Sequence, residues 1–302
     1  MNSKAPNFFL VGGPKCGTTA MVEYLRTHPD IFISEPKEPN FFADDMPQMK
    51  YVDSLKAYLN LFNKVKHEKV IGDASIFYMF SKDAIKNIHQ LYPESKLLVM
   101  IRNPLEMVPS FHQQILFTLD EDNKDLNQVL SLEKERMEGK SLPKHCRSQR
   151  LLNYSEIAKY GSQIKNIYNY FPKKNVKIVL FDDFKKDNRR TYQEIISFLN
   201  LKDDGRVDFP RINDAKKPKS NFLNKIVNRP PKFAKYLAKM ARKILNKPRL
   251  GILNTLDHLN REKLDKKPLT ETEKKKLLSL YKEDILETSR LINKDLSLWL
   301  NY

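Results

Sequence analysis

Four short apolar runs, each bounded by turn-forming residues, punctuate the chain: Phe8–Val11, Val70–Ile71 leading into Gly72-Asp73-Ala74-Ser75, Lys96–Ile101 ending at Arg102-Asn103-Pro104, and Val176–Phe181 ending at Asp182-Asp183. Runs of this kind predict buried strands. Between them, apolar residues recur at helical spacing over Leu55–Phe62, Lys82–Tyr92, Ser155–Phe171 and Tyr192–Leu199. Strands that alternate with helices predict a parallel sheet covered on both faces. Ligands of such sheets bind outside the carboxyl ends of the strands. Gly12, Gly72, Arg102 and Asp182 all fall at such ends and are expected to share one crevice.

Two regions depart from this alternation. Residues 118–150 are charged and irregular, with no obvious strand, and predict an insert at the upper edge of the sheet. Such an insert either faces a bound partner or is an ordinary surface excursion. Residues 222–302 predict a C-terminal helical part. Within it, Phe233, Tyr236, Leu237, Met240 and Ile244 form a helical stripe bordered by Lys232, Lys235, Lys239, Arg242 and Lys243. A basic amphipathic helix can lie on an anionic membrane, but more often its stripe packs on the domain. Thr270–Trp299 predicts a last helix, opened by a capping box from Thr270 to Glu273 and ending near the single tryptophan.

Composition narrows the classes. At 302 residues with 40% hydrophobic content the chain can bury a sizeable core, and we expect one domain over residues 1–302. The net charge of +17 favours anionic ligands: polyphosphates, acidic polysaccharides, nucleic acid or anionic lipid. Two distant cysteines, Cys16 and Cys146, exclude a disulfide framework. The histidines do not cluster, so no metal site is expected. No run approaches a membrane span, no signal pattern is evident, and a cytoplasmic location is expected.

The candidate chemistry begins at the first strand. Phe8–Met21 reads FFLVGGPKCGTTAM: strand, glycine-rich turn, helix. Backbone N–H groups of such a turn converge on one concavity, and the helix dipole favours an anion there. Gly12 and Gly17 have the spacing of the nucleotide motif G-x-x-x-x-G-K-[ST], but Thr18 stands where its lysine belongs. The only lysine, Lys15, lies inside the loop. This arrangement resembles the phosphosulfate loop of sulfotransferases that use 3'-phosphoadenosine 5'-phosphosulfate (PAPS). Arg102-Asn103-Pro104 followed by Ser110 resembles the same family's 3'-phosphate site. Lys37-Glu38-Pro39-Asn40-Phe41-Phe42 resembles the K-E-x-x-F-F element of glycan-type sulfotransferases and their bacterial relatives. The segments 160–201 and 268–299 are similar to the family's middle and C-terminal helix.

The resemblance implies a P-loop-like, three-layer α/β domain with a central parallel sheet flanked by helices. It implies that Lys15, Cys16, Gly17, Thr18 and Thr19 hold the 5'-phosphate, and that Arg102 and Ser110 hold the 3'-phosphate. Lys216, Lys217 and Lys219 fall where the family closes a basic loop over the adenosine. Lys15 would stabilise charge on the bridging oxygen. Glu38 would be the general base, with Glu35 the nearest competing carboxylate and Lys37 or Arg26 its charge partner. His112, just past Ser110, is a candidate on the acceptor side, although a lone histidine is more often a surface or core residue. Ala74 stands where heparan-type enzymes usually carry a lysine, and Met107 where relatives often have a second arginine.

The expected reaction is sulfonate transfer from PAPS to a hydroxyl or amine of a carbohydrate, releasing PAP; an anionic glycan suits the charge. A small metabolite is the alternative acceptor. A P-loop kinase or ATPase is disfavoured by the displaced lysine. A nucleic-acid-binding protein is disfavoured by the lack of zinc spacing, RNP-like aromatics or a helix-turn-helix. The oligomeric state is left open.

Overall fold

The structure is a computed structural model that describes residues 4–210, 212, 216–220, 261–263 and 268–301. The stripe at 232–246 lies outside the described residues. The chain divides into two compact units, the first comprising residues 1–111, 153–213 and 270–302, and the second residues 112–152 and 214–269.

The first unit is built on a five-stranded sheet in the order β2-β3-β1-β4-β5. The strands are β1 (Phe8–Leu10), β2 (Ile31–Ile33), β3 (Val70–Ala74), β4 (Lys96–Ile101) and β5 (Val176–Leu180), and every pairing is parallel. β1 lies at the centre, and Phe8, Phe9 and Leu10 are all fully buried. A central parallel strand is covered on both faces, which is why it reads as an unbroken apolar run. Helices α1 (Thr18–Arg26), α2 (Leu55–Leu59), α3 (Ala84–Leu91) and α4 (Pro104–Phe117) follow the first four strands in chain order. Pro104 occupies the first position of α4, where its missing N–H costs nothing.

The expected helix over Ser155–Phe171 is two: a short α6 (Tyr154–Ile157), then α7 (Tyr160–Tyr170). After β5 come α8 (Phe181–Lys186) and α9 (Asn188–Phe198). The final helix, α10 (Glu271–Ile292), opens with the expected capping box. The Thr270 amide donates to Glu273 Oε2 at 2.8 Å, and the Glu273 amide donates to Thr270 Oγ1 at 3.3 Å. It ends before Trp299, which sits in a separate single turn, Ser297–Trp299. α10 packs on α7, and Asp284 of α10 accepts from the Gly161 and Ser162 amides at 2.9 and 3.2 Å. A carboxylate from a neighbouring helix therefore satisfies α7's first turn.

The second unit corrects the expectation of an irregular 118–150. It contains α5 (Leu126–Met137), capped by Asp125, which accepts from the Asn127 and Gln128 amides. Leu126, Val129 and Leu130 supply its buried face; they fall in its first half, and the charged run Glu133–Arg136 that follows masks the periodicity in sequence. Arg136 of α5 forms a buried ion pair with Glu121, and Arg147 pairs with buried Asp120. An antiparallel pair, β6 (Lys216–Pro218) with β7 (Arg261–Lys263), belongs to the same unit. Among the described residues, no helix is long and apolar enough to cross a membrane.

Candidate active site

The glycine-rich loop is an extension of the sheet. Beyond β1, the Val11 amide donates to Leu98 O and the Gly13 amide to Met100 O, both at 2.9 Å, so the chain keeps riding along β4. Gly12 lies against β4 so closely that a Cβ there would sit 2.4 Å from the Met100 amide nitrogen. The loop then turns. Lys15 adopts φ +59° and Gly17 φ +83°, both left-handed. Gly17 is the N-cap of α1 and offers no side-chain cap, and the first turn of α1 holds no acidic residue. The first N–H groups of α1 are thus open to an outside anion. Thr18 is buried and Thr19 half-buried at that helix start.

Cys16 is not a nucleophile here. Its thiol is buried, donates to Pro14 O at 3.2 Å and lies 3.8 Å from the Tyr160 hydroxyl. Burial pushes it up to about 12, against the pull of the Tyr160 hydrogen bond, Arg102 and Lys15. At neutral pH it is a thiol that packs the underside of the loop.

Register explains the position of Arg102. Ile101 pairs with Leu180, so the next residues, Arg102 and Phe181, emerge side by side at the carboxyl ends of β4 and β5. The guanidinium of Arg102 lies 4.7 Å from the centre of the Phe181 ring. It is buried, donates to the Lys15 carbonyl at 3.3 Å, and is forked by Glu106 through Nε at 3.0 Å and through Nη2. Phe181 also packs beside Gly17. Its neighbour Asp182 accepts from Trp299 Nε1 at 3.0 Å. Ser110 is half-buried in the second turn of α4. Sequence reasoning missed Glu106 and Phe181. The four-residue spacing from Arg102 to Glu106 was a usable signal; the stacking of Phe181 required the strand register.

Glu38 reaches the same edge by another route. The Ser34 amide donates to Gly72 O at 2.9 Å and the Glu38 amide to Ala74 O at 3.0 Å, so the chain runs beside β3 to its carboxyl end. Lys37 is the charge partner: its Nζ lies 2.6 Å from Glu38 Oε1 and 3.4 Å from Thr19 Oγ1. Arg26 is engaged elsewhere, with Glu23 and the Ser34 carbonyl. The Glu38 side chain is 30% exposed, which leaves it accessible. Phe41 and Phe42 anchor the loop; Phe41 stacks on Tyr58 at 4.6 Å, and Phe42 meets Phe9, Tyr58 and Tyr78 edge-on. Glu35 is exposed.

Asp73, in β3, was not singled out from sequence. It is fully buried and accepts from Ser75 Oγ, Tyr58 and Tyr78 at 2.7, 2.9 and 2.8 Å. Burial pushes its carboxyl up to about 6; the three hydroxyl donors oppose the rise, and the charge of Glu38 adds to it.

The remaining candidates lie in the second unit. His112 is buried, with Nε2 2.8 Å from the Asn123 carbonyl, so it packs that unit and does not face solvent. Lys216 and Lys217 fall in β6, and exposed Lys219 follows it.

Rat carbohydrate sulfotransferase 15 is 26% identical over 246 residues, which cover 65% of this chain and 44% of that protein. Human heparan sulfate glucosamine 3-O-sulfotransferase 6 is 32% identical over 111 residues, covering 37% of this chain and 31% of that protein. The chain thus spans less than half the length of these relatives. The crystal structure of a sulfotransferase from Alicyclobacillus acidocaldarius is 24% identical, covers 98% of both chains and superposes with a TM-score of 0.70, a likeness of fold. The family described as "Sulfotransferase domain" matches residues 5–243. That match runs from before β1 to beyond β6 and takes in every residue of the cradle, and on that ground the chain belongs to the sulfotransferase domain family.

Proposed function

We propose that the protein transfers a sulfonate group from PAPS to a hydroxyl or amine of a carbohydrate. The observation that carries this reading is the Lys37 bridge, a single ammonium group that touches both the carboxylate of Glu38 and the hydroxyl of Thr19 at the cradle. A candidate base and a candidate anion site thus share one edge of the sheet.

The donor set fits PAPS. The uncapped start of α1 suits a phosphate, and Arg102 is anchored to the loop carbonyl of Lys15. A guanidinium is a planar fork matched to phosphate oxygens. When bound, PAPS supplies the sulfonate and leaves as PAP. Backbone amides of residues 15–19 and the hydroxyls of Thr18 and Thr19 hold the 5'-phosphate. Arg102 and Ser110 hold the 3'-phosphate. Lys15 carries the positive charge that offsets negative charge developing at the leaving oxygen. Glu38 accepts the proton of the attacking hydroxyl or amine, as a positioned carboxylate can. On the resemblance alone, Lys216, Lys217 and Lys219 are assigned to the adenosine side. The activities for which the two relatives are named and the net charge of +17 support an anionic glycan as acceptor.

Calorimetric titration with 3',5'-adenosine bisphosphate and, separately, with Mg-ATP tests the cofactor class. The expected result is preference for the bisphosphate. In Arg102→Ala that affinity falls roughly 10- to 150-fold, the equivalent of losing one charge-assisted hydrogen-bonded partner at about 1.5–3 kcal/mol. Preference for Mg-ATP would overturn the proposal in favour of a nucleoside-triphosphate enzyme. Transfer of radiolabelled sulfonate from PAPS to heparan sulfate, against simple sugars, then tests the acceptor class.

A further inference from the structure

The three donors to Asp73 are not isolated from the Glu38 loop. Ser75 Oγ, which donates to Asp73, accepts from the Asn40 amide at 3.1 Å. The Tyr78 hydroxyl, which also donates to Asp73, accepts from the Phe42 amide at 3.5 Å. Tyr58, the third donor, is the ring on which Phe41 stacks. The loop they hold is strained. Glu38 and Asn40 have φ +63° and +50°, left-handed values that a non-glycine residue keeps only where its surroundings impose them.

An ionised carboxylate only accepts hydrogen bonds. Asp73 therefore fixes the direction of all three hydroxyls, their protons turned inward. The lone pairs of Ser75 and Tyr78 are left for the amides of Asn40 and Phe42. Chains of hydrogen bonds of this kind reinforce one another in a buried setting. Asp73 is itself too enclosed to reach an acceptor molecule, and every contact above lies within the first unit.

We propose that Asp73 is a positioning residue for Glu38: through Ser75 and Tyr78 it holds the loop from Glu38 to Phe42 in the conformation that presents the base. This rests on the assignment of Glu38 as base.

Asp73→Asn keeps the shape but gives the site an N–H donor that competes with the three hydroxyls. With PAPS and heparan sulfate as probes, kcat should fall tenfold or more, while affinity for 3',5'-adenosine bisphosphate stays within twofold. In a Glu38→Gln background, Asp73→Asn should change kcat by less than twofold, because the group it positions is gone. Ser75→Ala and Tyr78→Phe should reproduce part of the loss, and they carry the same test if Asp73→Asn does not fold. Unchanged turnover in Asp73→Asn, or an equal loss in the Glu38→Gln background, overturns the proposal. A wild-type protein that binds the bisphosphate but transfers nothing to heparan sulfate removes the glycan-transfer reading instead, and the positioning role with it.

Discussion

Replacing Glu38 by glutamine lowers kcat about 10²- to 10⁴-fold, the usual contribution of a positioned general base, and leaves affinity for 3',5'-adenosine bisphosphate within twofold. The two effects separate because of where the side chain sits. Glu38 is on the loop beside β3, whereas the cradle is made by the end of β1, the start of α1 and Arg102. The shared element is Lys37, whose ammonium keeps its contact with Thr19 when the carboxylate becomes an amide. Glutamine fills the same volume, so the loop anchored by Phe41 and Phe42 has no reason to move. Single-turnover rates and calorimetry on the same preparation check both halves. Full turnover by Glu38→Gln would falsify the assignment and direct attention to Glu35, the neighbouring carboxylate.

Gly12→Ala is expected to be the most damaging glycine-to-alanine change among the described glycines. The added Cβ would lie 2.4 Å from Met100 N and 2.5 Å from Met100 O. Both are backbone atoms of β4, and the Gly13 amide bonds that same Met100 carbonyl. No side chain can swing away, so β4 and the loop must part, and Arg102 two residues on moves with them. Overpacking of this kind costs on the order of 3 kcal/mol, which lowers Tm by roughly 5 °C in a protein of this size. Bisphosphate binding weakens in parallel. Gly139→Ala is the control: that glycine has φ +82° but nothing within 4 Å, so only the left-handed backbone penalty of about 1–2 kcal/mol applies. Thermal melts of the two variants, read side by side, distinguish contact from conformation. Equal shifts would mean that the close approach of Gly12 to β4 is unimportant.

The cradle was legible in sequence because it is local. Its strand, its two glycines and its helix start lie within Phe8–Met21, and the spacing alone excludes the triphosphate pattern. β4 and β5 were legible for the same reason, as apolar runs with sharp ends. β2 was not: Ile31–Ile33 is three residues long, too short to show a period against the turn before it. α5 was hidden because its buried apolar positions occupy only its first half, and the charged run Glu133–Arg136 follows them. The partner of Glu38 was left open between Lys37 and Arg26, since chain adjacency cannot decide which ammonium or guanidinium turns inward. Asp73 carried no signal at all. Its donors come from β3's exit, from α2 and from the turn after Ser75, and they meet only once the sheet register has been set.

The contact between Trp299 and Asp182 has a practical side. The chain contains one tryptophan, so all indole emission originates at a single buried point. That indole is bonded to the residue following Phe181, and Phe181 lies against Arg102. An anion arriving at Arg102 alters the electric field and the packing felt by the fluorophore two links away. The protein therefore carries its own optical gauge of occupancy: emission should change and saturate as the bisphosphate is added, and half-saturation should move to a roughly 10- to 150-fold higher concentration in Arg102→Ala. Affinities for a series of nucleotides then follow from a cuvette titration, with no label and no acceptor.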